Sequence, residues 1–163
     1  MDELKNIFKE YYTLNDIRGI LFWDNATYLP QGSSESRSEQ LAVLSKLTDK
    51  TLRGDQIKNI INSIAVNNLS DFDKKNFALM KNIIRQENSV DPLLKEKLTR
   101  KKIQCEQAWR VSKEKNDISI VREFFNDVLA LTKEEAKQLS SNSTNSPYDS
   151  LINKYDMDLS SKT

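Results

Sequence analysis

Only six of the 163 residues are glycine or proline, three of each, at positions 19, 30, 32, 54, 92 and 147. Tight turns draw heavily on these two residues, so a turn-dense sandwich or barrel has too little material here. The stretches between them repeat their apolar residues every three or four positions, the period of a helix with one buried stripe. The chain is therefore read as all-α, an antiparallel array of about six to seven helices without a sheet.

Leu4, Ile7, Phe8, Tyr11, Leu14, Ile17 and Leu21 form the first stripe, and Gly19 inside it points to a kink or a close helix approach. Pro30-Gln31-Gly32 ends this helix. Ser36 with Glu39 has the spacing of a capping box ahead of Leu41, Leu44 and Leu47. Gly54 reads as the residue that closes this helix, with Asp55 capping the next. Ile57, Ile60, Ile61 and Ile64 are β-branched, yet their spacing is helical rather than alternating. Ser70 with Asp73 then caps a helix carrying Phe77, Met80, Ile83 and Ile84, and Asp91-Pro92 opens the next, since proline tolerates the first helical position. That fifth helix places Leu94, Leu98, Cys105, Ala108 and Trp109 on one side. Asp117 caps a sixth, with Val121, Phe124, Val128, Leu131 and Leu139 as its stripe, and after a polar loop from Ser140 to Ser146 a short seventh starts at Pro147 and ends near Tyr155. No composition break marks a boundary, so residues 1–163 are read as a single helical domain.

Histidine is absent and Cys105 is the only cysteine. The usual general base near neutral pH and the commonest metal ligand are therefore missing, which excludes Ser-His-Asp and Cys-His catalysis and any zinc site that includes histidine. One cysteine allows no disulfide within the chain, which favours a reducing compartment. With 25 basic against 24 acidic residues, no strong field exists to gather nucleic acid. The longest apolar run near the N-terminus, Ile20 to Trp23, is too short for a signal segment or a membrane span. A cytoplasmic protein with neither nucleic-acid nor membrane partners is expected.

Individual candidates have plain structural explanations. Cys105 lies on an apolar face with no base to activate it and is expected in the core. The basic run from Lys95 to Lys102 projects as a solvated face around Leu98. The densest cluster is Leu21-Phe22-Trp23-Asp24-Asn25-Ala26-Thr27-Tyr28-Leu29-Pro30, followed by Glu35, Arg37 and Glu39. A helix, loop and helix accounts for it, with Trp23 packed inside. Charge complementarity and loop length suggest that Asp24 pairs with Arg37, and Trp23, Asp24 and Arg37 together are expected to set the geometry of the first helix pair.

This stretch resembles the N-terminal part of the M32 metallocarboxypeptidases, the carboxypeptidase Taq family. The likeness rests on Trp23-Asp24 with Thr27 and Pro30, and on Ser36-Arg37-Ser38-Glu39-Gln40-Leu41. It continues through Ala108-Trp109-Arg110, Lys115-Asn116-Asp117, Leu131 to Ala136, and Pro147-Tyr148-Asp149-Ser150-Leu151-Ile152-Asn153-Lys154-Tyr155. Two departures stand out: Asp156-Met157-Asp158 replaces the family's Glu-Pro-Gly-like turn, and Ile118 follows Asn116-Asp117 where the family has Phe. The resemblance implies a cytoplasmic, all-helical enzyme of roughly 500 residues that removes C-terminal residues from peptides, with zinc or cobalt held at an H-E-x-x-H helix. No metal-binding or catalytic position of that kind carries over to this chain, which is read as stopping at Thr163 before the motif. What it implies here is an N-terminal lid or groove wall, inactive alone and without a cofactor of its own. Its implied partners are the catalytic part or a second copy, and peptide substrate would bind only in the complete enzyme. The alternative is a non-catalytic helical module for protein interaction or dimerisation.

Overall fold

The computed structural model describes residues 1–30, 32–141, 144–157 and 159–162. Among them are seven α-helices and no strand: α1 (Asp2–Thr27), α2 (Ser34–Thr51), α3 (Asp55–Ser63), α4 (Asp71–Ser89), α5 (Pro92–Lys115), α6 (Ser119–Ser140) and α7 (Pro147–Ile152). A single 3₁₀ turn at Val66–Asn68 joins α3 to α4. Gln31 in the expected turn, two residues of the Ser140–Ser146 loop, Asp158 and Thr163 lie outside the described residues.

Local chemistry explains most of the boundaries. The Ser70 hydroxyl accepts the Asp73 amide at the start of α4, Asp91 accepts the Leu93 amide ahead of Pro92, and Ser146 accepts the Asp149 amide ahead of α7. Asn116 ends α5 in the left-handed region at φ 50°, where asparagine is tolerated. Asp117 then receives the Ser119 amide on its carboxylate at 2.9 Å, as a capping residue would. Gly54 takes φ +102°, open to glycine and strained for other residues. Three boundary expectations shift, one being that α7 ends at Ile152 rather than near Tyr155. Helix α2 begins at Ser34, so Ser36 sits in its first turn, and Glu39 reaches Arg100 on α5 instead of closing a capping box. Asp55 is the first helical residue of α3 rather than its cap.

Cross-helix contacts give the layout. Leu52 at the end of α2 shares a core with Leu4, Phe8 and Tyr11 near the start of α1, so the two run antiparallel. Ile57 and Ile60 of α3 and Phe77 and Ile84 of α4 complete that core. Helix α5 runs antiparallel to α2, with Lys95 meeting Asp49 and Arg100 meeting Glu39. Helix α6 turns back along α5, pairing Asp127 with Lys101 and offering the Gln138 side-chain Oε1 to the Asp91 amide. Val90, Leu94 and Leu139 form a second, smaller core against which Leu131 and Leu151 pack. Helix α1 is unbroken through Gly19, and a methyl added there would meet nothing within 4 Å, so no helix approaches it closely.

Candidate functional site

The junction of α1 and α2 brings two of the three singled-out residues together. Arg37 Nη2 reaches Asp24 Oδ2 at 2.5 Å, and its Nη1 donates to the Leu21 carbonyl at 2.7 Å. The guanidinium thus fastens the first turn of α2 to the last turns of α1. Its side chain is only 11% exposed, so little water competes for these bonds. Trp23, expected to pack inside, is instead 58% exposed, and its indole stands edge-on to Tyr28 at 5.5 Å. The turn that carries Trp23 is fixed by backbone and Thr27, whose hydroxyl donates to the Trp23 carbonyl at 2.7 Å. The indole itself is left outside.

The buried residue of this segment is its neighbour Asn25, at 4% exposure. Its amide nitrogen donates to Glu106 at 3.2 Å, its backbone carbonyl accepts from Arg110 at 2.8 Å, and Arg110 pairs with Glu106 at 2.5 Å. This triad locks the end of α1 to α5, 81 to 85 residues away in sequence. A polar residue on the inner side of a helix end was its only sequence signal. The Asn25 Oδ1 atom is buried with no partner among the described residues.

A denser polar network lies between the helices. Asp49 on α2 is 7% exposed and takes Arg53 on one oxygen and Lys95 on the other, the latter at 2.7 Å. Lys95 also contacts Glu87 at 2.5 Å, and Glu87 accepts the Tyr11 hydroxyl at 3.1 Å. Arg53 further donates to the carbonyls of Glu87 and Val90, both at 2.6 Å. Burial and the adjoining Glu87 carboxylate hold the Tyr11 phenol well above its ordinary pKa. The network forms one wall of a cleft of about 430 Å³ that Arg18, Gly19, Lys102, Glu135 and Lys154 also line. The expected solvated face is thus corrected at both its ends: Lys95 turns inward to pair, and Lys102 borders the cleft, where burial lowers its ammonium pKa.

Cys105 lies not in a core but half-buried, on a second groove between α5 and α6. This groove, about 600 Å³, is almost wholly apolar and is bordered by Trp109, Ile118, Val121, Phe125 and Val128. Burial pushes the thiol pKa up, away from the reactive thiolate. Phe124, placed on the buried stripe by periodicity, is exposed with Phe125, because none of the described residues covers the outer face of early α6. Lys113 sits 5.3 Å from the Trp109 ring centre, a cation–π contact at the rim.

No group of three or more histidine, cysteine, aspartate or glutamate side chains that could hold a metal occurs among the described residues. The inward carboxylates are engaged: Asp49 and Glu87 by Lys95, and Glu135 by Lys154 at 2.7 Å. The residues present do not fit a zinc or cobalt ion. The described helices carry no such ligand set, and the first hairpin is fastened by Asp24 and Arg37. The chain belongs to the carboxypeptidase Taq (M32) metallopeptidase family, whose model matches residues 3–163. No curated protein matches it. It is similar in fold to the crystal structure of BsuCP (TM-score 0.87, 21% identity), covering 99% of this chain and 32% of that one. It is likewise similar to Trypanosoma cruzi metallocarboxypeptidase 1 (TM-score 0.80, 24% identity, 99% and 32% covered). Pyrococcus furiosus carboxypeptidase in its apo-Mg form gives a TM-score of 0.72 at 22% identity, with 98% and 32% covered. The chain therefore spans about a third of the length of the solved structures it matches.

Proposed function

We propose that these 163 residues serve as the N-terminal helical wall of an M32 metallocarboxypeptidase and supply no catalytic group themselves. The observation that carries this reading is the fit of 99% of the chain to 32% of BsuCP, in a sequence without a histidine. The family's chemistry, zinc-assisted removal of C-terminal residues from peptides, then belongs to residues outside this stretch. Trp23, Asp24 and Arg37 act as positioning residues of the wall, with Trp23 free to meet whatever faces it. A cytoplasmic location suits the single free cysteine, and no helix among the described residues is long and apolar enough to cross a membrane.

The test is reconstitution. The purified chain with zinc is expected to release no C-terminal amino acid from a peptide, and release that depends on zinc would sink the reading. Mixed with a polypeptide supplying the remaining two thirds of an M32 enzyme, it should form a complex with peptidase activity. The apolar groove on α5 and α6 favours a second reading, a docking or dimerisation module, because Trp109, Ile118 and Phe125 expose large apolar surface together. Stable complex formation without any gain of activity would support that reading over the first.

A further inference from the structure

We propose that the cleft between α1, α2, α5 and α6 is a binding site for a compact oxyanion carrying two or more negative charges, held by Arg18 and Lys102. Its volume of about 430 Å³ lies in the range of small-molecule sites. The charges around it do not balance internally. Four cations line it (Arg18, Lys95, Lys102 and Lys154) against three carboxylates (Asp49, Glu87 and Glu135). Each carboxylate already has a cation in contact: Lys95 lies 2.7 Å from Asp49 and 2.5 Å from Glu87, and Lys154 lies 2.7 Å from Glu135. Arg53 adds a second cation to Asp49 from behind the wall.

Arg18 and Lys102 are left over, since neither has an ion pair among the described residues. Both line the one cleft, where burial foremost lowers the Lys102 ammonium pKa, Glu135 opposes it, and Lys154 and Arg18 add to the lowering. Gathering like charges at a partly enclosed surface is unfavourable unless something neutralises them. A guanidinium fork and an ammonium lining one small cleft suit an oxyanion with several acceptor oxygens, which phosphoryl and polycarboxylate compounds share. Gly19, which also lines the cleft, has no side chain and open space around it, so that stretch of the wall stays unobstructed.

Calorimetric titration of the full chain with inorganic pyrophosphate, and separately with citrate, tests this at constant ionic strength balanced with chloride. Saturable one-site binding of either is expected. Binding of pyrophosphate alone marks a phosphoryl ligand, and binding of citrate alone a carboxylate ligand. Arg18→Gln and Lys102→Gln should each weaken it about tenfold, the scale of one charge-assisted hydrogen bond. Arg122→Gln, on the apolar groove, should leave it unchanged. Because neither cation holds a structural partner, both ligand-free variants should melt no lower than the parent chain. Absence of saturable binding, equal weakening by Arg122→Gln, or a lower melting temperature of the ligand-free variants would overturn the proposal.

Discussion

A single guanidinium illustrates how much one residue decides. Arg37 satisfies a carboxylate and a carbonyl of α1 at once, so its removal strands both in a site that water reaches poorly. Arg37→Ala is expected to cost about 2 kcal/mol in urea unfolding, less than a fully buried pair because Asp24 is one-third exposed. Arg37→Lys should recover only part of this, since an ammonium cannot repeat the two-pronged geometry. Tyr11 gives a pH signature. The folded state holds the phenolic proton more tightly than the unfolded chain, so the stability it contributes is complete below the unfolded value near ~10 and falls as pH rises above it. Melting temperatures should drop above that pH for the parent chain and less steeply for Tyr11→Phe. The Asp24–Arg37 pair was legible in the sequence because both residues flank one short loop. Asn25, Asp49 and Glu87 were not, because their partners lie on other helices.

Helix ends are written locally and were read most reliably there. Ser70, Asp91 and Ser146 each accept an amide two or three residues on, a contact that sequence spacing alone can specify. Asn116 at φ 50° makes its own prediction: Asn116→Gly should be close to neutral, whereas Asn116→Val should cost about 1–2 kcal/mol in chemical unfolding, the penalty of a β-branched residue in the left-handed region. At α7, Asp149 accepts from Ser146 and from the Ser161 amide, and these bonds hold its carboxyl below the usual carboxylate range. Their contribution is present above the unfolded pKa of about 3.9 and is lost as pH falls through the lower folded value. The protection of the Ser161 amide relative to its intrinsic exchange rate should therefore fall at acid pH in the parent chain, and be lost already at neutral pH in Asp149→Ala. The Ser36–Glu39 box failed for an instructive reason: Glu39 found a cation on a neighbouring helix at 2.5 Å, and that long-range pair displaced the local one.

Across the molecule, apolar burial is uneven. The first half of α1 is sealed against α3 and α4, while its second half leaves Ile17, Ile20 and Trp23 exposed, and early α6 leaves Phe124 and Phe125 exposed. Surfaces of this kind mark places where more protein packs. The chain alone is expected to associate with increasing concentration in sedimentation velocity, and Phe125→Glu should weaken that association without lowering helix content by circular dichroism. A monomer at every concentration would show that the groove has no affinity for another copy.

The sequence by itself determined the all-helical class, the caps that open α4, α5 and α7, and the absence of histidine chemistry, because periodicity, capping and composition act over a few residues. Its likeness to the M32 family was also legible, carried by short motifs in the right order. Only the tertiary structure decided which side of a helix is covered. Phe124 satisfies a buried period and Trp23 is expected to pack inside, yet both face outward, while Lys95 belongs to a charged run yet pairs inside. Burial depends on what the neighbouring helices bring to each face, and those neighbours are set by packing among segments tens of residues apart.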